Sequence, residues 1–168
     1  QTNATAMARV RIMLFSGNYA ENVTLKPWIS LAGAEGAEAQ ITGMITGANN
    51  STIEHLTINA DTGTAVLLDL NTAAMHLAHV TFAGGGSRTE TGILVEGNNS
   101  ANSVIEKCTF STLAAGIDIA GAIPAIRRNL FQDLAGPAII LRASGKAPSG
   151  SLGDESDPTV GCNTFSIT

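Results

Sequence analysis

The sequence predicts an all-β protein, a right-handed parallel β-helix of about six coils, and three observations carry that expectation. A six-residue template, apolar or small at its first, fourth and sixth places, recurs as IEHLTI (53–58), LAHVTF (77–82), IEKCTF (105–110), IRRNLF (126–131) and, more loosely, VGCNTF (160–165). Its sixth positions, Ile58, Phe82, Phe110, Phe131 and Phe165, are 24, 28, 21 and 34 residues apart. That loose period belongs to a solenoid, whose units bury an apolar face only by stacking on neighbours. No segment sustains a 3.6-residue apolar period, which confines helix to a turn near the N-terminus. Rungs of 21–28 residues fit three short strands per turn, stacked about 4.8 Å apart. Parallel crossovers are overwhelmingly right-handed, which sets the hand.

Taken in order, RVRIMLF (9–15) alternates Val10, Ile12 and Leu14 with Arg9, Arg11 and Met13, the pattern of a half-buried strand. SGNY turns the chain. ENVTL (21–25) and ISLAG (29–33) supply strands on either side of the Lys26-Pro27 bend, and ITGMITG (41–47) supplies another. From Asn49 the template takes over, and each copy is followed by a glycine turn and a second strand. These second strands are AVLLDL (65–70), GILVEG (92–97), GIDIAG (116–121) and AIILR (138–142). Period-2 alternation places Val66/Leu68, Ile93/Val95, Ile117/Ile119 and Ile139/Leu141 on one face, with Leu67, Leu94, Asp118 and Ile140 on the other. Residues 1–168 read as a single domain. The repeat runs to within three residues of Thr168 with no capping helix in the pattern. A longer solenoid of which this is a fragment, or an end covered by association, would each resolve the open edge.

Composition narrows the class. With 168 residues, 14% of them charged and 44% apolar, the chain can bury a substantial core and is not a disordered segment. A formal charge of −5 argues against a nucleic-acid binder, whose footprint would be strongly basic. No apolar run reaches the roughly 18 residues a membrane span needs. No signal peptide opens the chain, so export would require a leader already removed. Cys108 takes the inward fourth position held by Leu56 and Val80 in earlier copies, the place of a buried free thiol. Cys162 falls one place off that register, so no bridge is expected.

The stretch SGNYAENVTLKPWISLAG (16–33) is similar to the opening coil of pectin methylesterases and of bacterial surface and periplasmic β-helix repeats. The rungs from Asn49 to Phe165 resemble the repeat of those proteins. The chain therefore resembles the right-handed parallel β-helix proteins of the pectin-lyase-like superfamily, a likeness that specifies architecture far more than chemistry. For a methylesterase it would imply paired aspartates, an oxyanion glutamine and an arginine for the uronate. FQDL (131–134) resembles one of that family's stretches, but only Gln132 and Asp133 carry over. The other motifs are missing, and a lone aspartate cannot divide the acid and nucleophile roles.

Three outward features bear on function. Asp69 and Glu96 stand just after the second strand on consecutive long rungs, with Ala120 and Arg142 in that place on the next two. Two carboxylates one rung apart, at roughly 5 Å, suit retaining glycoside chemistry. The third template position reads His55, His79, Lys107, Arg128 and then Cys162, a column of basic groups able to bind an acidic polysaccharide, with Arg128 the best fork for a carboxylate. Its structural alternative is a solvated bend between two inward positions. Third, Leu67, Leu94 and Ile140 form an apolar stripe that connector 143–159 or another chain could cover.

Other groups carry less. His76 lies on the far side of inward Leu77 from His55 and His79, leaving two imidazoles where a metal site needs three or four ligands. No metal and no cofactor are expected. The acids of GDESD (153–157) sit in a Gly/Ser-rich loop without a partner rung. The Thr57, Thr81, Thr109, Thr164 column has mixed neighbours and reads as ordinary exposed strand. Asn129 and Asn163 replace the apolar fourth position on the last two rungs and read as a structural asparagine stack.

The expectation is a non-catalytic extracellular, cell-surface or periplasmic module interacting with carbohydrate through His55, His79, Lys107 and Arg128. One competing class is an enzyme (lyase, hydrolase or esterase) on acidic polysaccharide, with Asp69, Glu96 and Arg128 as its groups. The other is a structural segment of a larger surface or phage-tail protein, associating through Leu67, Leu94 and Ile140 or through its C-terminal end.

Overall fold

The structure is a computed structural model that describes residues 8–61, 65–71, 74–97, 102–142 and 161–166. Each turn of the chain lays down three strands. The first coil holds β1 (Val10–Leu14), β2 (Gly17–Ala20) and β3 (Val23–Thr24), and the second β4 (Ile29–Gly33), β5 (Ala39–Thr42) and β6 (Ile45–Thr46). The third holds β7 (Ser51–Glu54), β8 (Thr57–Asn59) and β9 (Val66–Asn71), and the fourth β10 (Met75–Ala78), β11 (Thr81–Ala83) and β12 (Thr91–Val95). The fifth holds β13 (Val104–Glu106), β14 (Thr109–Ser111) and β15 (Ala115–Ile119), and the sixth β16 (Ala125–Arg127), β17 (Leu130–Gln132) and β18 (Ile139–Leu141), with β19 (Thr164–Ser166) above them.

Every third strand pairs in parallel, and β17 also with β19, giving a first sheet β1-β4-β7-β10-β13-β16, a second β2-β5-β8-β11-β14-β17-β19 and a third β3-β6-β9-β12-β15-β18. Five strand-to-strand steps carry the right-handed coil from β1 to β16, close to the six coils the repeat spacing implies. Three inward columns form the core. Leu31, Ile53, Leu77, Ile105 and Ile126 align in the first sheet. Tyr19, Ile41, Ile58, Phe82, Phe110, Phe131 and Phe165 align in the second, and Ile45, Leu68, Ile93, Ile117 and Ile139 in the third. In the second sheet the four phenylalanines stack with centroids 4.9, 4.7 and 5.3 Å apart. Each such pair adds about 0.5–1.5 kcal/mol beyond its buried area.

The six-residue template is a corner of the coil. Its second residue ends a strand of the first sheet, its third is a bend, and its sixth lies inside a strand of the second. At the fourth place Leu56, Val80 and Cys108 are buried, and Asn129 and Asn163 follow as the expected stack. Asn129 Oδ1 accepts the Cys108 N–H at 2.9 Å, and Asn129 Nδ2 donates to the Ile105 carbonyl at 2.9 Å and to Asn163 Oδ1 at 3.1 Å. Asn163 Nδ2 in turn donates to the Ile126 carbonyl. Cys108 is a buried free thiol and Cys162 is exposed.

Two expectations are corrected. Ile12 does align with Leu31, but on the first coil it remains 44% exposed. Leu67 is not part of an outward stripe; it is fully buried. Leu68 pairs with Ile93 and Ile93 with Ile117, so Leu67 stands opposite Gly92 and Gly116. A side chain on those glycines would meet the Phe110 ring at 2.9 Å and the Phe131 ring at 2.7 Å, which shows that this position faces inward where the chain enters the third sheet. The column that does face out is Asp69, Leu94, Asp118 and Ile140. In it Asp118 is buried and held by two hydrogen bonds from Arg142.

Candidate functional site

The bend between the first and second sheets repeats with one backbone geometry. His55, His79, Lys107 and Arg128 have φ of 56°, 55°, 53° and 56°, left-handed values that cost a residue with a Cβ about 1–2 kcal/mol. Stacking fixes them there. The N–H of His55 donates to the Ala78 carbonyl, that of His79 to Glu106, that of Lys107 to Arg127 and that of Arg128 to Gly161. On the preceding rung Gly33 admits this close approach, since any Cβ there would overlap the His55 carbonyl. The four side chains leave the coil in one exposed row. The His55 and His79 rings stack with centroids 4.8 Å apart and planes 11° from parallel. The structure thus brings together all four residues of the basic column.

Their surroundings divide the row. Glu54 lies 3.8 Å from His55 and also holds Arg11 at 2.7 Å. Glu106 is held by Arg127 at 2.9 Å and His76 at 3.0 Å. Lys107 and Arg128 make no ion pair among the described residues, so their charges face solvent. Burial, with the neighbouring His55 and Lys107, pulls the His79 imidazole below its ordinary value. Burial pushes Glu106 upward, but hydrogen bonds from His76 and Arg127 outweigh it and hold the carboxyl below the usual range. Beside the column an open polar groove of about 470 Å³ is lined by Glu38, Gln40, His55, Thr57, His79 and Thr81. A second depression of about 680 Å³, bounded by Arg11, Glu35 and His55, adjoins it.

The residues of the enzymatic alternative are not assembled. Asp69 pairs with Leu94, while Glu96 lies beyond a register shift at Leu94/Val95 where Val95 meets Asn71. The two carboxylates therefore do not share a rung position. Both belong to the third sheet and its exit, and Arg128 to the bend between the other two. Asp133 is taken by Arg88 at 2.7 Å at a turn of φ 52°, so the Gln132-Asp133 dipeptide closes a rung. Among the described residues no three His, Cys, Asp or Glu side chains could hold a metal ion. Residues 143–159, with the acids of 153–157, lie outside the described residues.

Sequence reasoning missed two features. Glu90 is buried with its carboxylate accepting the N–H groups of Gly85 and Thr89 and the Thr89 hydroxyl, which closes the 84–90 loop. The left-handed bend was also missed, because Lys and Arg carry no such signal and His only a weak one; its recurrence at one template place could have suggested it. No protein-family model, curated protein or solved structure matches the chain, and no helix among the described residues is long and apolar enough to cross a membrane.

Proposed function

We propose that this chain is a non-catalytic β-helix module of the pectin-lyase-like type, working in an extracellular, cell-surface or periplasmic setting, that holds an acidic polysaccharide along the bend between its first and second sheets. One observation carries the reading: His55, His79, Lys107 and Arg128 leave consecutive rungs from the same backbone conformation, exposed and aligned. A row of donors at the rung spacing suits a polymer whose acid groups also repeat. Arg128 offers a planar fork to a carboxylate and Lys107 a mobile point charge. The Thr57, Thr81 and Thr109 hydroxyls, in register on the adjoining sheet, are placed to bond sugar hydroxyls. The separation of Asp69 from Glu96 supports binding without turnover.

The test is a binding isotherm on polygalacturonate at low and high salt, with product analysis. Asparagine tolerates the left-handed bend, so Lys107→Asn/Arg128→Asn removes charge while keeping the backbone. Salt-sensitive binding lost in that variant, without release of methanol, unsaturated ends or reducing ends, is the expected result. Undiminished binding by the variant, or any of those products, overturns the proposal. A second reading, a structural segment stacked on further coils, is favoured by exposed Phe15 (70%) on the first coil and Phe165 (58%) on the last. Light scattering that shows concentration-dependent growth in mass, blocked by Phe165→Ser, would support it.

A further inference from the structure

Half of the basic column is imidazole and half is ammonium and guanidinium. Lys107 and Arg128 stay cationic at neutral pH, whereas imidazoles ordinarily titrate between pH 5 and 8. The His55 and His79 rings stack face to face at 4.8 Å, and Lys107 occupies the next rung beyond His79. A proton on either ring is opposed by its neighbours in the row. The groups that face the pair are few. Glu54 stands 3.8 Å from His55 but is shared with Arg11. Glu106, on the Lys107 rung, is shared between Arg127 and His76. Glu38 stands on the groove wall beside both rings. Glu54 and Glu106 are thus already engaged by arginines; Glu38, and Glu35 in the depression beside His55, remain on the protein side, and further proton-stabilising charge has to come from outside. A polyanion lying along the row supplies it.

We infer that the column takes up protons as it takes up its ligand, so that a polyanionic polysaccharide is held more tightly below about pH 6 than above pH 7. The inference rests on the proposed binding role and adds its regulation. By linkage, whatever binds the protonated rings better must also raise their proton affinity. Two further exposed ion pairs, each of ordinary strength, multiply affinity by roughly 2- to 30-fold in total.

The experiment measures the dissociation constant for dextran sulfate, whose sulfates stay ionised throughout, at pH 5.0 and 7.5 and low ionic strength. The chain, His55→Asn/His79→Asn and Lys107→Asn/Arg128→Asn are compared, with circular dichroism to confirm folding. The expected result is tighter binding at pH 5.0 than at pH 7.5 by the chain, and for the histidine variant an affinity that does not change with pH and is weaker than the chain's at pH 5.0. Equal affinity of the chain at both pH values overturns the proton coupling and leaves the binding role standing. Retained pH dependence in the histidine variant also overturns it, assigning the effect to other groups such as His76. Absence of binding at both pH values overturns the binding role, and the coupling with it.

Discussion

Replacing Asn129 by alanine tests whether the asparagine stack holds the upper bend of the column. Asn129 is 1% exposed. Its Oδ1 accepts the Cys108 N–H and its Nδ2 donates to the Ile105 carbonyl, each at 2.9 Å. Those two groups lie on either side of the Lys107 bend. Alanine leaves the Cys108 N–H buried and unpartnered, at about 1–3 kcal/mol, while the Ile105 carbonyl keeps its place in the β13–β16 ladder; Asn163, half-buried, can turn to water. A loss of about 1–3 kcal/mol follows. For a chain of this size each kcal/mol lowers Tm by about 2–4 °C, so the midpoint should fall by about 2–12 °C. Thermal unfolding by calorimetry reads this directly. Asn129→Asp provides the control: it keeps an acceptor for Cys108 but replaces the donor to Ile105 with a second acceptor, and should be at least as damaging. A fall of less than 1 °C in the alanine variant would refute the reasoning, because it would mean that the strand pairing holds this bend without the side chain.

Three further outcomes follow from other parts of the coil. Burial pushes the Cys108 thiol up to about 12, and Cys162 is exposed, so a colorimetric thiol reagent at pH 8 should titrate one cysteine in the native protein and two after denaturation. Since the folded Glu106 carboxyl lies below its unfolded value of 4.5, it contributes stability that is present above pH 4.5 and lost as pH falls through the folded value. Urea midpoints between pH 7 and 3 should show a smaller acid loss in Glu106→Gln than in the parent chain. Gly33→Ala should cost about 1–3 kcal/mol or more, because its methyl overlaps the His55 carbonyl and the backbone must shift; chemical denaturation measures it.

The inward columns were legible because stacking leaves a signature with fixed places. Ile58, Phe82, Phe110 and Phe131 sit at the same template position and occupy the same sheet position. The template also placed His55, His79, Lys107 and Arg128 in one row. The third sheet was harder to read. Connectors of unequal length separate the template from each second strand, and counting alternation across them paired Asp69 with Glu96 and Leu67 with Leu94. Two consecutive inward residues, Leu67 and Leu68, occur where the chain turns into the sheet, and strict period-2 alternation cannot register such a corner. The Asp118–Arg142 pair escaped for the same reason: its partners lie a rung apart, next to each other only once Ile119 is set against Leu141.

What gives the basic row functional weight is its comparison with the other left-handed residues. The remaining non-glycine positions with positive φ include Trp28, Asn50, Arg88, Thr112 and Asp133. Arg88 and Asp133 neutralise one another, and the rest share no charge or chemistry. At the bend between the first and second sheets, four consecutive rungs instead carry long side chains with basic nitrogen, although glycine would relieve about 1 kcal/mol or more at each. A merely solvated bend requires polarity, which asparagine supplies at lower backbone cost than lysine or arginine. Four imidazole, ammonium and guanidinium groups in succession are what such a bend would carry if it met a repeating anion. If glycine or asparagine at all four places raised stability while abolishing polyanion binding, the conformational strain would be identified as the cost of the site.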